Sequence, residues 1–267
     1  MRKTTATLST ALAMTTAMTM IGFGSVAADD DNKKGPLSYS YIEGAYLHDN
    51  FNANGVVVRD DRLAEINLGT ISDHSGGGGA VRVSFALPSK SKTIGFHIVS
   101  DYHQSSHSPL ISITDGGGGP IAVGVVDTRQ KELRLAVGMH TRSSDSVSWF
   151  AEVGLVRNKA NLAEATGTFV GGGPVTTDLS FFSGSKTALD VKAGVRAMAT
   201  KRLEMIGYGR WHGNGKVVSG DDGSLDFSGK FKAGTGAYYH FNDSFQLGGD
   251  YEFGRPGRLR LVARLSF

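Results

Sequence analysis

Asp101 and His103 stand two residues apart, and His212 lies far along the chain. A carboxylate that orients an imidazole can activate water for hydrolysis. Such a hydrolase, working at the rim of a larger scaffold, would need a second acidic pair, and none is evident. Serines and histidines are too common here for a Ser–His nucleophilic pair to have a distinctive spacing. His103 and His107 have a ligand-like spacing only on a helix, and they sit in a Ser-rich stretch. The runs Gly76–Gly79, Gly116–Gly119 and Gly171–Gly173 are not phosphate cradles, because no Gly-Lys-Ser/Thr follows them. Cysteine is absent, which excludes disulfides, Cys-ligated metals and a thiol nucleophile. No catalytic residue, metal or cofactor is expected, and the chain does not read as an enzyme.

A second set of charged residues is more ordered. It comprises Glu43, Arg82, His97, Arg134, Glu152, Asp190, Lys192, Arg196, Lys232, Asp250, Glu252, Arg258, Arg260 and Arg264. Most sit on segments where polar and apolar residues alternate. The last segment is the clearest: Leu259, Leu261, Ala263, Leu265 and Phe267 share one face, and Arg258, Arg260, Val262, Arg264 and Ser266 share the other. Period two is the signature of a strand with two different faces. A face of arginines must be wet or paired.

Alternation predicts ten strands, near 37–48, 79–88, 92–103, 131–142, 146–157, 187–199, 202–213, 229–241, 244–254 and 257–267. Each has about the length of a tilted strand that crosses a bilayer. Tight turns at Pro88–Ser91, Ser143–Asp145, Thr200–Lys201 and Asn242–Asp243 alternate with the longer connections 49–78, 104–130, 158–186 and 214–228. Short turns at one end and mostly long loops at the other predict an all-β, antiparallel, up-and-down transmembrane barrel. Ten strands satisfy parity and length; eight or twelve remain open, because 38–48 and 203–213 alternate less cleanly. A soluble barrel or sandwich is the alternative. Frequent glycine on the charged face and aromatics near strand ends speak against it. In the barrel, the charged set lines the lumen, as a salt-bridged plug or a narrow pore. The glycine runs are expected at flexible hairpin tips or spacers. Ile111, Ile113, Ile121, Val123 and Val125 extend the wall above the membrane in this reading.

Positions 1–28 read as a signal peptide: basic Arg2 and Lys3, a short apolar stretch, then Ser25 to Ala28. A polar tail spans 29–36, and 37–267 is the barrel. The formal charge of +3, to which Arg2 and Lys3 contribute, is no nucleic-acid footprint despite a pI near 9.0. The mean hydropathy of −0.15 excludes a polytopic helical membrane protein.

Tyr39-Ser-Tyr-Ile-Glu-Gly-Ala-Tyr46, the hairpin Tyr239–Phe253 and the terminal Phe267 resemble the small outer-membrane β-barrels of Gram-negative bacteria, the OmpA/OmpX-like group. The resemblance covers roughly half of the mature chain. It implies residence in the outer membrane after export through the periplasm. It implies contact with membrane lipid and lipopolysaccharide, and use of Phe267 as an assembly signal read by the barrel-assembly machinery. It carries little about activity. The expected role is structural or a narrow pore for small solutes; the alternative is an interaction or adhesion protein acting through its glycine-rich loops on an extracellular partner, and a rim-active hydrolase is the third reading.

Overall fold

The computed structural model describes residues 37–53, 56–60, 63–68, 71–91, 93–108, 110–114, 120–141, 146–169, 172–178, 183–213, 216–218, 224–226, 231–254 and 257–267. The signal-peptide and tail expectations, the turn Ser143–Asp145 and the run Gly116–Gly119 lie outside these residues.

The strands are, in chain order, β1 (Tyr41–Ala53), β2 (Val56–Asp60), β3 (Leu63–Leu68), β4 (Ile71–Leu87), β5 (Ile94–His107), β6 (Leu110–Thr114), β7 (Pro120–Thr141) and β8 (Val147–Phe169). They continue as β9 (Pro174–Asp178), β10 (Ser183–Met198), β11 (Leu203–His212), β12 (Lys216–Val218), β13 (Ser224–Asp226), β14 (Phe231–His240), β15 (Phe245–Phe253) and β16 (Gly257–Ser266). Ten of them form a closed ring, β7-β5-β4-β1-β16-β15-β14-β11-β10-β8, which returns to β7. Every pairing in the ring is antiparallel. Closure leaves no edge unpaired, which a lipid environment demands of a sheet. The seam joins the first and last strands, with Tyr41 opposite Ser266 and Asn50 opposite Gly257. Phe267 N then donates to Ser40 O at 3.0 Å.

The ten wall strands are those that the alternation predicts. Turn chemistry closes the short end. Asn242 Oδ1 accepts from Ser244 N and Phe245 N at 2.9 and 2.7 Å. Thr200 Oγ1 accepts from Leu203 N at 3.1 Å. These are side chains that mimic a turn's backbone acceptor.

The polarity is inverted relative to a water-soluble barrel. Leu135 is 60% exposed and Trp149 63%, whereas Arg134, next to Leu135 in the chain, is 1% exposed. Leu133, Val137, Val153, Leu155, Leu189, Leu261 and Leu265 share the outer face. Exposed aromatics mark both borders. Phe85, Phe96, Trp149, Tyr239, Phe241 and Phe267 lie toward the short-turn end, and Tyr46, Tyr102, Trp211, Phe231 and Phe253 toward the other. An apolar band between aromatic girdles is a surface for lipid.

Two expectations are corrected. Gly76–Gly79 is no hairpin tip. It lies inside β4, paired with β1 on one side, and its later residues with β5 on the other. A Cβ at Gly76 would fall 1.8 Å from the His107 ring, and one at Gly78 2.0 Å from Gln104 O, so the run makes room for its neighbours. Likewise 104–130 and 158–186 are not mainly loop. β7 and β8 run through much of both segments. Each is about twice as long as a tilted strand must be to cross a bilayer. Beyond the ring, β6 pairs with β7 and β9 with β8, giving a sheet of order β6-β7-β8-β9. Backbone pairing of Ile111, Ile113 and Val123 in this sheet extends the wall as expected. Gly172 and Gly173, with φ of 86° and 115°, do form the tip between β8 and β9.

Inside the ring, small residues leave room for large ones. A Cβ at Gly234 would lie 2.2 Å from the Tyr208 ring, whereas one at Gly44 meets nothing within 4 Å. Gly234→Ala is therefore expected to lower stability by about 1–3 kcal/mol, and Gly44→Ala to stay within about 0.5 kcal/mol. Urea-induced unfolding of the protein in lipid vesicles measures both.

Candidate functional site

Alternation sends every second side chain of the wall into the lumen, and there the charges meet. Among the described residues nine cations point inward: Arg82, Arg134, Lys192, Arg196, Arg210, Lys232, Arg258, Arg260 and Arg264. Nine carboxylates meet them: Glu43, Asp49, Asp101, Glu132, Glu152, Asp190, Glu204, Asp250 and Glu252. Burial removes both kinds from bulk water, so an unmatched member would be costly. Each of the nine carboxylates has an arginine or lysine within 4.0 Å.

The network has three levels. Near the short-turn end, Glu204 is a hub. Arg196 donates to it at 2.7 and 3.1 Å, Arg264 at 3.2 Å, and His240 Nε2 lies 3.1 Å away. The Arg264 guanidinium also donates to Glu43 at 2.7 Å and lies over the rings of Tyr238 and Tyr41. His97 and His140 face each other there at 3.1 Å, and His140 stacks on Tyr39 at 3.8 Å between centroids. At the middle level, Arg134 donates to Asp190 at 2.5 Å and Glu152 at 2.7 Å. Arg82 holds Asp101 through two hydrogen bonds. Arg260 donates to Glu43 at 3.0 Å, and Tyr238 donates to Asp250 at 2.7 Å.

Toward the long-loop end, Arg210 bridges Asp190 and Glu132 at 2.7 and 2.6 Å. Lys232 donates to Glu252 at 2.9 Å. Arg258 grips Asp49 at 2.6 and 3.0 Å and also reaches His103 Nε2 at 2.7 Å. His107 lies past Tyr102, beyond the aromatic border. Burial pushes its imidazole down to about 4, against the pull of Asp49.

Many partners are direct opposites across two strands. Glu43 faces Arg264 and Asp49 faces Arg258 along the β1–β16 seam. Asp101 faces Arg82 on one side and Arg134 on the other. Opposite charges at such positions stabilise a sheet pair. The seam is thus latched by two ion pairs whose members lie 221 and 209 residues apart in sequence.

All thirteen lumen residues named from the sequence lie on the inner face, together with His97. Asp49, Glu132, Glu204 and Arg210 join them and were not singled out. Glu132 follows from extending the Arg134 alternation by one step. The Asp101–His103 dyad does not form. Both point inward, but Asp101 is held by Arg82 and Arg134, while His103 faces Arg258 and Glu132. His212 lies 3.5 Å from Asp190 instead. Among the described residues no group of three or more potential ligands could hold a metal.

No family model and no curated protein matches the chain. Solved structures do. Neisserial surface protein A is similar at 14% identity and a TM-score of 0.37, with 86% of this chain and 98% of that one covered. The outer membrane protein OprG from Pseudomonas aeruginosa is similar at 8% identity and a TM-score of 0.40, covering 88% and 99%. Ail, the attachment invasion locus protein of Yersinia pestis, is similar at 13% identity and a TM-score of 0.30, covering 86% and 100%. The barrel assignment rests on the closed strand ring itself.

Removing one shared acceptor takes a carboxylate from two arginines and a histidine at once. Glu204→Ala leaves Arg196 and His240 without their carboxylate. It is expected to cost about 3–5 kcal/mol, the usual penalty for breaking a buried pair from one side. Urea unfolding in lipid vesicles gives the value. Lys131→Ala, on the outer face of β7, is the control expected to change little.

Proposed function

We propose that this protein is an outer-membrane β-barrel whose lumen is closed by paired charges and whose working surface is the sheet beyond the rim. The observation that carries the reading is that each of nine lumen carboxylates among the described residues has an arginine or lysine within 4.0 Å inside a ten-stranded ring. Ten strands lie near the small end of the range, where side chains can fill the interior. The ion pairs cross the lumen at three levels and leave little room for a continuous water file. The role is then structural, with the barrel as an anchor.

The second feature supports what the anchor presents. β7 and β8 are far longer than a bilayer crossing requires. Only part of each is needed in the membrane, and the rest is flanked by β6 and β9 as a projecting sheet. A projecting sheet suits contact with an extracellular partner. Outer-membrane lipid and lipopolysaccharide would surround the aromatic-bordered band. Phe267 lies at the end of the seam strand, edge-on to Phe85, and this terminal position supports its reading as the assembly signal.

Planar-bilayer recording of the purified protein tests the closed lumen. The wild type is expected to be silent or nearly so. Replacing Arg134, Arg210 and Glu132 together by alanine is expected to produce reproducible conductance steps. Well-resolved steps in the wild type would favour the narrow pore instead. Phe267→Asp tests the assembly signal separately: the amount of barrel in the outer membrane is expected to fall several-fold, while refolding in detergent is preserved.

A further inference from the structure

We infer that the cavity beside Lys192, inside the barrel, binds one small monovalent anion of halide size, with the Lys192 ammonium as its anchor. Lys192 is 4% exposed. Among the described residues it is the one inward cation with no carboxylate oxygen within 4.0 Å. Across the sheet it sits between Glu152 on β8 and Arg210 on β11. Neither forms an ion pair with it: Glu152 is bonded to Arg134 at 2.7 Å, and Arg210 carries the same sign. The ammonium rests instead over the Tyr208 ring, 3.9 Å from its centroid. A ring face attracts a cation but brings no counter-charge.

The ammonium belongs to the wall of a cavity of about 40 Å³. One water needs about 10–15 Å³ of such space, so a halide and a water would fit and a large oxyanion would not. Six cations line the cavity against three carboxylates, Asp101, Glu132 and Glu252. Each of those three is already bonded, to Arg82, Arg210 and Lys232 respectively. Two further donors on the same wall residues lack an acceptor, Arg134 Nη2 and Arg260 Nε. Buried donors are normally satisfied. Water could accept their hydrogen bonds, but it would leave the Lys192 charge unmatched. A single negative charge meets both needs. The other five cavity cations each have a carboxylate within 4.0 Å, so only the Lys192 charge is left to an anion, and one negative charge suffices where a divalent anion would overshoot. The inference does not depend on what the projecting sheet contacts.

Crystals of the full-length barrel grown in sodium bromide provide the first test. An anomalous bromide peak is expected in the cavity within hydrogen-bond reach of Lys192 Nζ. Thermal unfolding in detergent provides the second, with bromide compared to gluconate at equal ionic strength. The wild type is expected to gain stability with bromide in a saturable way. In Lys192→Met the apparent bromide affinity is expected to fall about tenfold or more, because a charge-assisted hydrogen bond is removed. A cavity holding only water in the bromide crystals overturns the inference. So does an identical bromide dependence in the wild type and Lys192→Met. If that variant does not fold, the anomalous map decides alone.

Discussion

Unmatched charge is costly inside a membrane. The lumen of this barrel is narrow and walled by an apolar band, so each guanidinium in it needs an acceptor within reach. That requirement shapes the rest of the structure. It explains why a carboxylate such as Glu204 serves two arginines and a histidine rather than one partner. It explains why glycines line the same face: bulky Arg and Tyr side chains cross the lumen only where a neighbour has none. Gly234 yields space to Tyr208, and Gly138 to His97, whose ring would lie 2.4 Å from an added Cβ. It also accounts for the tyrosines, whose faces lie under Arg196, Arg264 and Lys192. Replacing the pairs by apolar residues of equal volume is often neutral for stability in soluble proteins. Here a lumen of mixed charge also fixes strand register, because a slip by one residue sends every charge into lipid.

The wall was legible in the sequence because its two faces differ so sharply. Leu133, Leu135 and Val137 against Arg134 and Glu132 leave no doubt about the sides of β7. The signal fades where the lumen is apolar. In β11, Ile206 and Tyr208 point inward while Gly207 and Gly209 lie on the outer side, so the pattern is blurred. β1 is blurred likewise, with Leu47 and Ala45 inside and His48 outside. Glu204, Arg210 and Asp49 were missed on these two strands, although they complete the ion-pair network. Nor does period two reveal which arginine meets which carboxylate. That depends on barrel closure, which brings Asp49 to Arg258 across most of the chain.

The projecting sheet was read only in part. The Ile and Val residues near 111–125 suggested an extension, but glycine runs suggested loops. Glycine has two meanings here. In β4 it permits close approach of neighbouring strands and of the His107 ring, and at Gly172–Gly173 it permits the turn itself. Composition alone does not separate a glycine needed for space from one needed for its backbone angles. The barrel and the sheet beyond it share β7 and β8, so the register of those strands in the ring also sets the base of the sheet.

The closed, paired lumen is tested most directly by side-chain hydrogen exchange. NMR of ¹⁵N-arginine-labelled protein in lipid nanodiscs reports the Nε–H group of each arginine. The structure predicts slow exchange with water for Arg134, Arg196 and Arg264, whose Nε–H groups are each bonded to a buried carboxylate. Exchange of these three as fast as that of free arginine would contradict it, and would mean that water runs through the barrel.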